Sequence, residues 1–123
     1  MTAPLFRLVA VPPAIDEWAQ ALLQEGELAL LPDEGGLDAV LSVARTLSLA
    51  SVPVVAEADE RAVIRYASGF PLVWIAAAFT EQARTWAHDR GPMTLLVEAE
   101  GALPEPERRR IERFVALLGR QSD

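Results

Sequence analysis

The chain has 123 residues, a formal net charge of -7 at pH 7 and no cysteine. Nucleic acids and anionic membranes are disfavoured as partners, because both are bound through a basic surface that an acidic chain lacks. Disulfides and cysteine-bound metals are excluded, and no apolar run approaches the roughly 20 residues that cross a bilayer. We therefore expect a cytoplasmic protein that folds as one compact domain over residues 1–123.

Apolar strands and amphipathic helices alternate along the whole chain. The strands are predicted over residues 5–11, 28–31, 52–56, 70–79 and 93–97. The helices are predicted over residues 14–24, 37–50, 59–67, 80–90 and 104–118. Within the helices, apolar side chains recur at three- and four-residue spacing, which is the pattern of one helical face.

Local signals predict the ends of several elements. Pro12-Pro13 ends the first strand, because proline donates no hydrogen bond to a sheet. Gly26, Gly69 and Gly119 are predicted to end the first, third and last helices. Thr80 has the hydroxyl needed to cap the fourth helix, and Gly91-Pro92 is predicted to end that helix.

The segment from residue 62 to residue 79 fits more than one structure. Its first half is predicted as a helix and its second half as a strand. Val63, Ile64 and Tyr66 are also strand formers, so the segment can be read as a hairpin that turns at Gly69. A helix that begins at Pro71 is a third reading, since the apolar positions up to residue 86 also fit the helical period.

The order of elements predicts the fold class. Alternating strands and helices joined by short connectors are typical of an α/β domain with a mostly parallel sheet. We predict a single three-layer domain of about five strands with helices on both faces, of flavodoxin-like or Rossmann-like architecture. The alternative is an α+β fold with a hairpin at residues 62–79.

Ligands of such folds bind beyond the carboxyl ends of the strands, so the connectors there are the first place to look for a site. Two of them are acidic. The candidate ligand-binding residues are Asp33, Glu34, Gly35, Gly36, Glu57 and Asp59. If the strand ends converge, these carboxylates suit Mg²⁺ or Ca²⁺, whereas a phosphate is disfavoured because no complete glycine-rich phosphate motif is present.

Phosphoacceptor receiver domains share this length and this alternation of strands and helices. An active receiver has acidic residues after its first strand and a lysine near the end of its fifth. Here the first predicted strand ends in Val11-Pro12-Pro13, and the chain contains no lysine. An active receiver is therefore excluded.

No group of residues forms a recognisable catalytic motif. His88 is the only histidine, and no serine lies in a nucleophile elbow. We expect His88 to interact favourably with the carboxyl end of a helix dipole. We predict no catalytic residues, no cofactor and no dedicated metal site.

One basic cluster stands out in the acidic chain. Arg108, Arg109 and Arg113 lie in the last predicted helix, interleaved with glutamates. Pairing between residues three or four apart explains such a pattern on a solvated helix face. The functional reading is a docking surface for another protein or a second copy of the chain.

These observations favour a non-enzymatic protein-interaction or regulatory module, which we expect to form a homodimer through its last helix. The rival hypothesis is a small-ligand or divalent-metal-binding protein that uses the acidic connectors. The two differ in a checkable way, because the first needs an exposed contact patch and the second a concave site with converging carboxylates.

Overall fold

The computed structural model describes residues 4–31, 36–49, 52–55 and 60–122, without the side chains of residues 121 and 122. The described chain is an α/β structure with a four-stranded parallel sheet. The strands are β1 (Phe6–Ala10), β2 (Gly26–Leu30), β3 (Leu72–Ala76) and β4 (Thr94–Glu98), in the order β2-β1-β3-β4. The helices are α1 (Trp18–Leu22), α2 (Gly36–Thr46), α3 (Glu60–Ala67), α4 (Glu81–Arg90) and α5 (Glu105–Ser122).

Each strand sends alternate side chains to opposite faces of the sheet, and a separate apolar core covers each face. Leu8 and Ile75 face the core formed with α1, α2 and α5. Val9 and Trp74 face the core formed with α3 and α4. Because both central strands are covered on both sides, they are apolar throughout except for Arg7, as expected for a buried parallel sheet.

The helix positions follow from the direction of each crossover. The chain moves from β1 to β2 with α1 on one face, then returns past β1 to β3 with α3 on the other face. A right-handed connection requires this change of face when the direction of travel reverses. The crossover rule therefore places the helices on the two sides of the sheet.

The predicted third strand is reduced to a single bridge in the described residues. Leu30 N–H donates to the carbonyl oxygen of Pro53 at 2.9 Å, and Val55 N–H donates to the carbonyl oxygen of Leu30 at 2.9 Å. The bridge between Leu30 and Val54 is parallel. This segment therefore lies beside β2, although it is too short to count as a strand.

The alternatives for residues 62–79 are resolved by the structure. Residues 60–67 form α3 and residues 72–76 form β3, which pairs in parallel with β1 and β4. The hairpin and the long helix from Pro71 are both wrong. Burial decides the outcome, because Leu72, Val73 and Ile75 are fully buried and a central strand buries both of its faces.

Both predicted ends of the fourth helix are confirmed. Thr80 caps α4 by accepting a hydrogen bond from Ala83 N–H at 3.1 Å. Gly91 ends it with a φ of +65°, in the left-handed region that glycine adopts readily.

Three other predicted helix ends are wrong. The helix predicted over residues 14–24 is reduced to the short α1, which follows a 3-10 turn at Pro12–Ala14, and Gly26 belongs to β2. A Cβ atom on Gly26 would lie 2.5 Å from the Phe6 ring, so glycine is needed here for close packing. Gly119 does not end α5, which continues to Ser122. Helix α3 ends with Ser68 at a φ of +51°, so a serine takes the role predicted for Gly69.

Candidate functional site

The carboxyl ends of β1 and β3 form the switch point of the sheet, where the chain leaves in opposite directions. This crevice is the usual ligand site of an open parallel sheet. Here β1 is followed by Val11-Pro12-Pro13 and β3 by Ala77-Ala78-Phe79. None of these six residues has a side chain that ionises or coordinates a cation. The described residues that directly follow β1 and β3 therefore offer only backbone groups and apolar side chains.

The amino terminus of α4 lies at the same end of the sheet and is already occupied by a carboxylate of the chain. Glu60 accepts a hydrogen bond from Thr80 N–H at 3.0 Å and another from the Thr80 hydroxyl. A helix amino terminus attracts anions through its free N–H groups. Here Glu60 provides the negative charge at the start of α4. Since Glu60 is the first residue of α3, its bonds to Thr80 also link the starts of the two helices.

Most of the predicted acidic site lies outside the described residues. Asp33, Glu34, Gly35, Glu57 and Asp59 are not described. Gly36 begins α2 with a φ of +57°, and no heavy atom of the other described residues lies within 4 Å of the position a Cβ would take there. Because Leu30 and Val54 form a parallel bridge, the two acidic connectors begin at neighbouring points on one edge of the sheet. Convergence of the carboxylates themselves stays a prediction.

Among the residues that the structure describes, no group of three or more histidine or acidic side chains is placed to hold a metal ion. His88 is exposed in the last turn of α4. A histidine at this place suits the negative end of the helix dipole.

The arginine cluster lies on α5 and is partly paired within that helix. Arg109 donates to Glu105 at 2.7 Å, and Arg110 donates to Glu107 at 2.7 Å. Arg113 is exposed, whereas the Nε atom of Arg108 is buried without a hydrogen-bond partner among the described residues. The predicted pairing along the helix is confirmed. A docking role for Arg108, Arg109 and Arg113 stays a prediction.

A polar network that the sequence did not predict lies at the amino end of the sheet, around Arg7. Its guanidinium stacks on the rings of Tyr66 at 4.7 Å and Phe70 at 4.3 Å. It also donates to the carbonyl oxygen of Tyr66 and lies 3.4 Å from the Glu27 carboxylate. Burial raises the pKa of Tyr66 and outweighs the opposing effect of the Arg7 charge.

A second arginine, Arg90, binds the backbone of Phe70. Arg90 donates to the carbonyl oxygen of Phe70 at 2.6 Å and to the Thr94 hydroxyl at 3.0 Å. Its guanidinium also lies 4.7 Å from the centre of the Trp86 ring. Burial lowers the pKa of Arg90, although an arginine stays charged at physiological pH. Arg7 and Arg90 together fix the turn that leads into β3.

The signal that could have revealed this network is Arg7 itself, a single charged residue in an apolar strand. A buried guanidinium needs hydrogen-bond acceptors or aromatic faces, so such a residue indicates that partners lie opposite it. Its partner Tyr66 is 59 residues away, and no local pattern identifies it.

Two features of the described surface contain apolar side chains that a partner could cover. The first is a groove of about 630 Å³ between α3 and α4, with Ile64, Ala83 and Trp86 as its apolar residues and Glu81 and Asp89 among its charged ones. The second is an apolar stripe on α2, where Leu37 is 70% exposed and Leu41, one turn later, is 44% exposed. We call this pair the α2 stripe.

The fold places the chain in the class of α/β proteins with a parallel sheet. No protein-family model matches the sequence, and neither a curated protein nor a solved structure matches it. In the described ranges, every helix is too short or too polar to cross a membrane.

Proposed function

We propose that the chain is a non-enzymatic protein-interaction or regulatory module. We also propose that it folds as one three-layer domain of flavodoxin-like or Rossmann-like architecture, with residues 52–56 as a fifth strand, and that it acts in the cytoplasm. The observation that carries the functional proposal is the α2 stripe. Leu37 and Leu41 follow each other by one helical turn and both face solvent.

Another protein that covered the two exposed leucines of α2 would remove their apolar surface from water, which favours association. Burial of apolar surface contributes about 25 cal/mol per Å², so covering this pair would contribute on the order of 3 kcal/mol to association. The apolar switch point supports the same view, because a catalytic or ligand-binding site needs polar groups that its described residues do not provide.

The double variant Leu37→Ser/Leu41→Ser tests this proposal. We expect proteins that the immobilised wild-type chain retains from a cell extract to be lost with the variant, because the apolar contact is gone. The matched control is Leu117→Ser, which removes a leucine that is 54% exposed on α5. Both variants should melt close to the wild-type temperature. Identical sets of retained proteins for the wild type and the double variant would overturn the proposal.

The rival proposal of a cation or small-ligand site draws support from one observation. Leu31 and Val55 directly precede the two acidic connectors. Because of the parallel bridge between Leu30 and Val54, both connectors begin at the same edge of the sheet. Oxygen ligands from both connectors would suit Mg²⁺ or Ca²⁺. Asp33→Ala and Glu57→Ala are the variants that separate this proposal from the interaction module.

A further inference from the structure

The two edges of the sheet differ in whether another described segment of the chain lies against them. At the edge beside β2, both backbone groups of Leu30 are bonded to residues 53 and 55. Pro53 brings no N–H group to this segment, and the backbone of Val54 faces outward. Natural sheets use short segments and proline in this way to prevent pairing with another chain.

The edge at β4 is a full strand with an open side. Ala99 N–H donates to the carbonyl oxygen of Ala76 at 2.9 Å, so the backbone of Ala99 faces β3. Backbone direction alternates along a strand, and Leu96 and Glu98 therefore direct their N–H and carbonyl groups away from the sheet. Thr94 has the same orientation, but its N–H donates to the carbonyl oxygen of Gly91, so only its carbonyl group is open. No backbone group in the described part of the chain bonds to Leu96 or Glu98 from this side.

Apart from Glu98, whose charge is paired with Arg84, the residues of β4 lack the features that usually block such an edge. Residues 94–97 include no proline and no charged side chain, and Leu95 and Leu96 are only half-buried. The corresponding side chains of β3 are fully buried, since that strand is flanked on both sides.

The charges around this edge are balanced, although the chain as a whole is acidic. Arg84 pairs with Glu98, and Arg110 pairs with Glu107. All four side chains line one hollow of about 290 Å³ beside Leu96. Two cations and two anions give this surface no net charge, so a second copy can approach here without the repulsion expected between chains of charge -7.

We propose that two copies of the chain associate edge to edge through β4, antiparallel about a two-fold axis at Leu96. The contact joins both four-stranded sheets into one continuous sheet. Leu96 then lies opposite Leu96 of the second copy, and Glu98 lies opposite Thr94. Such a two-fold contact is self-complementary, and these facing residues exchange about four backbone hydrogen bonds, because the Thr94 N–H is already bonded to Gly91 of its own chain. The α2 stripe has no part in the contact and stays available to another protein.

Sedimentation velocity of the full chain over a range of concentrations tests the proposal first. We expect the mass of two chains for the wild type. Glu98→Arg should raise the dissociation constant about tenfold or more, because the new arginine meets Thr94 of the second copy, whose hydroxyl binds Arg90. Glu100→Arg, an exposed charge reversal beyond the strand, is the matched control and should leave the mass unchanged. Leu96→Pro removes an outward donor and should also give single chains; circular dichroism and melting establish that it folds.

Cysteine crosslinking tests the geometry independently, because the natural chain has no cysteine. Facing residues of an antiparallel hydrogen-bonded pair have Cα atoms about 5.5 Å apart, within disulfide range. Leu96→Cys should therefore form a covalent dimer faster than Leu117→Cys, although Leu117 is more exposed.

Three results would overturn the proposal. The first is a single-chain mass for the wild type at every concentration. The second is a dimer that survives both Glu98→Arg and Leu96→Pro. The third is a dimer that is lost instead in Leu37→Ser/Leu41→Ser or in Arg113→Glu, which would place the contact on α2 or α5.

Discussion

The two ends of the sheet are built from different kinds of side chain. At the amino end, Arg7 and Arg90 hold Phe70 between them through stacking and hydrogen bonds. At the carboxyl end, the described residues that follow β1 and β3 are alanine, proline, valine and phenylalanine. The polar link nearby is the Glu60 carboxylate bonded to Thr80, and it joins two helices of the chain itself.

This difference indicates that the polar side chains at the amino end of the sheet stabilise the fold and do not form a binding site. Open parallel sheets usually bind ligands at the carboxyl end and use the amino end for structural contacts. In this chain the amino end has the expected structural network, whereas the described part of the carboxyl end has few groups that could hold a ligand. The contrast favours a protein that acts through its outer surfaces, such as the α2 stripe and the β4 edge.

The largest expected effect is at the centre of the amino-end network. Arg7→Met keeps the aliphatic stem but removes the guanidinium, which leaves the Tyr66 carbonyl oxygen without its donor. We expect the free energy of unfolding to fall by about 2 to 3 kcal/mol. Denaturant titration measures this. Ala77→Ser, at the exposed carboxyl end, should change stability by less than about 0.5 kcal/mol; equal effects at the two ends would break the comparison.

The second prediction concerns the close packing of β1 and β2 at the amino end. Gly26→Ala places a methyl group against the buried Phe6 ring and should cost about 1 to 3 kcal/mol of unfolding free energy. Gly119→Ala is the matched control, because Gly119 lies within α5 and has open space around its Cβ position. That change should stabilise the protein by about 0.5 to 1 kcal/mol. The same sign for both substitutions would contradict the packing described here.

The third prediction concerns the carboxyl end. Glu60→Ala removes the acceptor for both Thr80 bonds and should lower the unfolding free energy by about 1 kcal/mol, less than the loss for Arg7→Met. Hydrogen exchange should show faster opening in the first turn of α4, whereas Glu81→Ala, at a neighbouring exposed position, should have a smaller effect. A loss larger than that of Arg7→Met would reverse the ranking of the two ends.

The smallest effect is a titration at the amino end. Tyr66 is the single tyrosine of the chain, so tyrosinate absorbance reports on it alone. Its pKa is raised by burial, and the midpoint in the folded protein should therefore lie above the ordinary value of about 10 and return to it in denaturant. Because the unfolded state loses this proton first, the stability contribution is full below pH of about 10 and falls as the pH rises through the folded pKa. A folded midpoint at or below the ordinary value would contradict the burial of Tyr66.

The features that were predicted from sequence depend on neighbouring residues. Thr80 and Gly91 mark the ends of α4 because capping needs a hydroxyl or a left-handed residue within one turn. The alternation of strands and helices likewise predicted a parallel α/β sheet. These signals lie within a few positions of the elements that they define.

The features that were missed depend on contacts between distant residues. Gly26 resembled a helix end, but its role is to accommodate Phe6 from the neighbouring strand. A serine, Ser48, takes the left-handed conformation after α2 with a φ of +57°, where glycine would be expected. The partners of Arg7 lie on other elements, so only the strand order identifies them.

The measurement that tests the central claim most directly is thermal unfolding of the full chain with and without Mg²⁺, Ca²⁺ and a panel of nucleotides. A ligand at a hundred times its dissociation constant adds about 2.7 kcal/mol to stability, which shifts the melting temperature measurably. A protein that acts through its outer surfaces should show no such shift. A shift that is lost in Asp33→Ala or Glu57→Ala would contradict this account and would establish a ligand site at the acidic connectors.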